Sequence, residues 1–258
     1  MAARDRELGS GSTAVVQLTL ASHRGASRRH FSMPSSSPAP VSAWTAEPVP
    51  QPPLKDDRLS PLAVDKHWQA LGQSWRVGGT QEGFNLGWAR IQWSRSALHY
   101  DLILLGSRPH NRAVKLNERT WELGDVAEIF LHAPGLGRYV EVHITPENQR
   151  LQLLWPAGGL DRVRQNQSPL DEFTVDAADW IQSSTYLGPG FWVVHAVIPF
   201  STLGLKSQND LPPLGTAVCR YDYSTPSSPV LSSTAPLREP DYHRVEEWQK
   251  LALAAEPV

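Results

Sequence analysis

Carboxylates and imidazoles recur at alternate positions in several short apolar runs of this 258-residue chain, and they are the groups best able to do chemistry. In the run Arg138-Tyr-Val-Glu-Val-His-Ile144, a side-chain repeat of two sets Val140, Val142 and Ile144 on one face and Tyr139, Glu141 and His143 on the other. Such a strand is half-buried, with its polar face in water. The same parity predicts outward polar positions for His99 and Asp101, for Glu128, for His195, and for Arg220 or Asp222. Glycoside hydrolysis needs two carboxyls facing each other across roughly 5 to 10 Å. Asp125 and Glu128 are odd-spaced on one strand and point to opposite faces. Glu128 and Glu141 meet only if their strands pair, on an open sheet that excludes little water. No GxSxG, HExxH or phosphate-binding glycine loop occurs, so no catalytic residue is assigned and binding is expected rather than catalysis.

Metal chemistry is weighed on the same residues. Glu141 and His143, with His99 opposite, have donor types that suit a divalent ion. Solvent exposure is the commoner reason for that pattern, and no metal ligand set is assigned. The lone Cys219 reads as an inert core thiol, there is no CxxC pair, and Met1 and Met33 both fall outside the expected fold, which removes a Met axial ligand for haem. If the polar strands are neighbours, one sheet presents a ring-studded polar surface. Such a surface suits sugars, whose C–H faces stack on aromatic rings and whose hydroxyls need fixed polar partners.

The elements that must position these groups are strands. Alternating runs bounded by Gly, Pro, Asn and Ser predict strands near 86–94, 97–105, 125–132, 138–145, 149–155, 171–175, 191–198, 215–223 and 248–253. Helical signals are confined to Asp65–Leu71 and to a single turn over Pro199–Leu205 closed by Gly204. The expected fold is all-β, a two-sheet antiparallel β-sandwich of jelly-roll or immunoglobulin-like type with little helix, spanning residues 58–253. Residues 1–57 read as a disordered Ser-, Pro- and Arg-rich arm and linker, within which Trp44 tucks back as an edge strand, and residues 254–258 read as a tail.

Within the arm, Ala14–Ala21 makes a poorly formed secretory signal, His23–His30 has a transit-like composition, and Met33 is an alternative start. No segment is long enough to span a membrane, so a soluble protein of unassigned compartment is expected. With 24 basic and 26 acidic residues interspersed, no basic surface exists to hold a phosphate backbone, which argues against nucleic acid. Ten Trp are many for this length, and some rings are expected to meet ligand.

Three runs carry a family likeness: Trp121-Glu-Leu-Gly-Asp-Val-Ala-Glu-Ile-Phe-Leu131, Tyr139-Val-Glu-Val-His-Ile-Thr-Pro-Glu-Asn148, and Phe191-Trp-Val-Val-His-Ala-Val-Ile-Pro199 with Leu203-Gly204. Their order and spacing resemble family 9 carbohydrate-binding modules and their DOMON-like relatives over residues 62–253. The resemblance implies a non-catalytic domain that binds free or terminal sugars of polysaccharides, often beside a glycoside hydrolase, with structural calcium in some members. It places a stacking Trp at Trp121 and a hydroxyl-binding acid at Glu128. Asn117, Glu141 and His143 are expected to add polar contacts. The second clamp ring is sought among Trp155, Trp192 and Trp248, with Trp155 taken into the site and Trp248 into the core. His195 stands where the family has an acid. A hydrolase partner must then be a separate chain, and the rival reading is a scaffold that uses the same face for another protein.

Overall fold

The computed structural model describes residues 43–48, 64–206, 211–225 and 228–254. The expectations for the arm before residue 43, for residues 49–63 and for 255–258 lie outside the described residues.

The described chain is mostly β. Its strands in chain order are β1 (Ala43–Pro48), β2 (Gln69–Ala70), β3 (Gly87–Trp93), β4 (Ala97–Leu105), β5 (Val126–His132), β6 (Arg138–Ile144) and β7 (Arg150–Pro156), then β8 (Gln182–Gly188), β9 (Phe191–Pro199), β10 (Leu214–Asp222), β11 (Val230–Ser233) and β12 (Gln249–Leu253). The one α-helix among the described residues is the short α1, Gly159–Arg164. Alternation is visible in burial: β3 reads buried at Gly87, Ala89, Ile91 and Trp93 and half-buried between.

Instead of two separate antiparallel sheets, hydrogen bonds run through one curled mixed sheet in the order β7-β6-β5-β10-β12-β1-β3-β4-β9-β8, with β11 beside β10 and β2 beside β3. The strand that joins its two halves is β1. It runs parallel to β12 over Ala43–Ala46 and parallel to β3 over Glu47–Pro48, while the other pairings are antiparallel. The Trp44 segment is thus a central strand and not an edge, with Trp44 2% exposed.

The inner faces of both halves share one apolar cluster. Ile91, Leu98 and Leu102 come from one half, and Ile129, Leu131, Val140, Val142 and Val218 from the other. Across this interior the Tyr100 hydroxyl meets Thr216 Oγ1 at 3.1 Å, and Thr216 donates to the Phe130 carbonyl at 2.8 Å. Polar groups buried among apolar atoms are held by such partners.

Two local expectations change and a third holds. Residues 171–175 form a 3₁₀ turn, Leu170–Phe173, whose following residue Thr174 makes a single bridge to Leu153. Asp65–Leu71 is not helical: Trp68 N closes a turn on the Asp65 carbonyl, Asp65 Oδ1 accepts from His67 N, and β2 follows. The Pro199–Leu205 turn forms as a 3₁₀ turn over Phe200–Leu203, with Gly204 at φ +78° where a left-handed residue is needed.

Candidate functional site

The outer face of β5, β6, β7 and β10 floors a cavity of about 320 Å³. Glu128, Glu141, His143, Leu153, Trp155 and Tyr221 line it from the sheet, and Leu160, Val163 and Arg164 of α1, with Leu170, line it from above. The segment Pro240–His243 closes one side, and Trp121 enters from the 3₁₀ turn Thr120–Glu122. That turn is stopped by Gly124, which at φ +146° packs so tightly on His110 and Asn111 that a Cβ would strike the His110 carbonyl oxygen. Trp121 is half-buried, its ring edge set against His143 with centroids 5.5 Å apart at 71°.

Register explains the cluster on the floor. Glu128 of β5 lies directly across from His143 of β6, and Glu141 is two residues along the same face. His143 Nε2 is 2.7 Å from Glu141 Oε1 and 3.4 Å from Glu128 Oε1, while its Nδ1 meets Thr120 Oγ1 at 2.9 Å. The Trp155 indole N–H donates to Glu141 Oε2, and His243 Nδ1 stands 3.8 Å from that oxygen. Glu128 and Glu141 are 3% exposed and His143 2%. The face that parity marks as wet is therefore sealed. The physical reason is its cover: α1, the Leu170 turn and the Pro240–His243 segment lie over it, and none of them carries a periodic apolar signal.

Burial and neighbours separate the three groups. Burial pushes Glu128 well above the usual carboxylate range, with Glu141 adding repulsion and His143 opposing it. Burial would also raise Glu141, but the charge of His243, the hydrogen bonds from His143 and Trp155 and the charge of His143 outweigh it and hold it low. Burial would lower His143, and the two carboxyls reverse that and raise it.

Five of the six residues expected at a binding site, Trp121, Glu128, Glu141, His143 and Trp155, line this one cavity. Asn117 does not. At φ +66° it serves the backbone: its Oδ1 accepts from Gln152 N and its Nδ2 donates to the Val175 carbonyl and to Asp176. Trp155 is only 1% exposed, stacked between Tyr139 and Phe173, so its polar edge anchors Glu141 and its faces are already covered. Trp192 and Trp248 are also buried, so none of the three candidate clamp rings is open.

His99, Asp101 and His195 belong to β4 and β9 in the other half of the sheet, where Asp101 takes His195 Nδ1 at 2.7 Å and Arg90 Nη2 at 2.6 Å. His99 is therefore no partner for Glu141 and His143. Sequence reasoning missed Arg164, Tyr221, Asp241 and His243. Arg164 pairs with Asp241 at 3.0 Å and ties α1 to the closing segment. The density of polar and aromatic residues in Glu239-Pro-Asp-Tyr-His-Arg244 was the only hint of that segment's role. A second cavity of about 320 Å³ adjoins the first, sharing Leu160, Arg164 and His243 and reaching His132, Arg138 and Tyr139.

Calcium takes 6–8 oxygen ligands from carboxylates, carbonyls and water. The one group of three His, Cys, Asp or Glu side chains among the described residues that can close on an ion includes an imidazole. The buried carboxyls Asp125 and Asp222 already flank the Arg220 guanidinium, with Arg220 Nη2 3.0 Å from Asp222.

The fold is one seen in proteins tied to carbohydrate recognition. A presumed carbohydrate-binding protein from Bacteroides uniformis ATCC 8492 superposes with a TM-score of 0.56 at 17% identity, over 72% of this chain and 86% of that one. A family 9 carbohydrate-binding module from Caldicellulosiruptor kristjanssonii, solved with cellotriose, gives 0.52 at 14% identity over 84% and 99% of the two chains. A family 9 module from the same organism, solved with glucose, gives 0.52 at 13% identity, over 83% and 97%. No protein-family model matches the sequence, and no curated protein matches it.

Proposed function

We propose that this chain is a non-catalytic carbohydrate-binding domain and that its curled sheet works as a two-layer β-sandwich of the family 9 module and DOMON-like type. The observation that carries the reading is the cavity itself. A half-buried indole, Trp121, stands beside two carboxyls and an imidazole, on a fold shared with modules solved holding cellotriose and glucose. Trp121 offers the apolar ring for a sugar C–H face. Glu128, Glu141 and His143 offer the hydroxyl partners, and burial makes each such bond worth more than it is in water.

Binding is favoured over hydrolysis by one distance relation. Both carboxyls approach the same imidazole nitrogen, at 2.7 and 3.4 Å, so no glycosidic bond can lie between them. The test is isothermal titration of the folded chain with glucose, cellotriose and xylo-oligosaccharides. Saturable binding that persists at high salt is expected, and the absence of binding to all of them from protein with an intact fold refutes the proposal.

A further inference from the structure

We infer that Glu128, Glu141 and His143 form a site for one divalent first-row transition ion, with open coordination positions facing the cavity. Each residue offers one donor atom, and the three atoms lie within 4.8 Å of one another. They stand on two hydrogen-bonded strands, so the set is held rigidly without the ion. Their outer contacts aim the donors inward. His143 Nδ1 is occupied by Thr120 Oγ1, which leaves Nε2 facing the carboxyls, and Trp155 holds Glu141 Oε2, which leaves Oε1. Metal ligands are oriented by this kind of outer partner.

A second, independent observation is Glu128. It is 3% exposed, lines the cavity and makes no hydrogen bond among the described residues beyond its 3.4 Å approach to His143. A buried carboxylate without a donor is costly unless it takes up a proton or a cation joins it, and here its open side faces the cavity. The same carboxyl spacing that leaves no room for a glycosidic bond between the two groups leaves room for an ion. An imidazole with two carboxylates suits zinc, cobalt or manganese better than calcium. Cys219, across from Glu128, bonds Ser233 Oγ at 3.3 Å and is not part of the set. Three protein ligands with a cavity beyond them is the arrangement in which zinc keeps a position for an exogenous oxygen.

The experiment uses the full chain, stripped with a chelator and titrated with zinc chloride by calorimetry in two buffers of different ionisation enthalpy. One ion per chain is expected, with release of the protons shared by the three groups. Glu128→Gln and His143→Gln should each weaken uptake at least tenfold. Crystals soaked in zinc, measured at the zinc absorption edge, should show anomalous density among the three side chains. That measurement decides the matter if a variant fails to fold. Uptake unchanged in the folded variants, or anomalous density only at exposed histidines such as His67 or His110, overturns the inference. Sugar binding plays no part in these readouts, so zinc uptake without sugar binding sinks the proposed function alone, and sugar binding without zinc uptake sinks this inference alone.

Discussion

Replacing Trp155 by Phe separates an anchoring role from a sugar-stacking one. The indole is 1% exposed and stacks on Phe173 with centroids 5.0 Å apart, a contact that a phenyl ring retains in large part. What Trp155→Phe removes outright is the N–H donated to Glu141 Oε2. Losing a hydrogen bond to a charged, buried acceptor costs about 1.5–3 kcal/mol. The smaller ring adds about 1 kcal/mol for the space it leaves. The sum, about 2.5–4 kcal/mol, corresponds to a fall in melting temperature of roughly 5–15 °C for a domain of this size.

Trp248→Phe is the control. Trp248 is 2% exposed, and its N–H donates to a neutral acceptor, the Tyr242 carbonyl, at 2.8 Å. That bond is worth about 0.5–1.5 kcal/mol. Calorimetric or urea unfolding of both variants isolates the charged acceptor as the difference between them. Equal costs would refute the anchoring argument. A Trp155→Phe variant with unchanged stability and lost sugar affinity would show that the ring meets ligand after all.

Other outcomes follow from the same geometry. Trp121→Ala should lower affinity for bound sugar at least tenfold, about 1.4 kcal/mol by titration, while costing less stability than the about 3–5 kcal/mol of removing a fully buried indole. Gly124→Ala forces a non-glycine residue to φ +146° and drives its Cβ onto the His110 carbonyl, so it should cost about 2–4 kcal/mol in urea unfolding and weaken sugar binding by displacing the Trp121 turn. Asp101 provides a test away from the site. Burial would raise its pKa, but the hydrogen bond from His195 and the charge and hydrogen bond of Arg90 outweigh burial and hold it below its usual 3.8. A depressed carboxylate stabilises the fold above its unfolded value and loses that contribution as pH falls through the folded value. Asp101→Asn should therefore be less stable than the parent at neutral pH, with the gap closing in acid. A gap that is constant down to pH 2 would disprove the assignment.

What the sequence made legible was local. Alternation over Arg138–Ile144 sorts Glu141 and His143 onto one face because the side-chain repeat of a strand needs no tertiary contact to operate. The limits of β4 agree with the pattern over 97–105 for the same reason. What stayed hidden depends on residues distant in the chain. β8, with Ser183, Ser184 and Thr185 on an exposed edge, has no apolar repeat to reveal it. The place of β1 is set by two parallel pairings, to β12 at the far end of the chain and to β3, and nothing within its six residues encodes them. The cover over the polar face is the most consequential omission. An exposed Glu-x-His strand is solvated and chemically idle, whereas the same residues under α1 and the Pro240–His243 segment lose water and must find partners within reach. His143, Trp155 and Thr120 supply those partners on one side only, and Glu128 is left facing the cavity. Whatever occupies that space must bring hydrogen-bond donors or positive charge to Glu128, and a sugar hydroxyl and a metal ion are the two ligands here that do so.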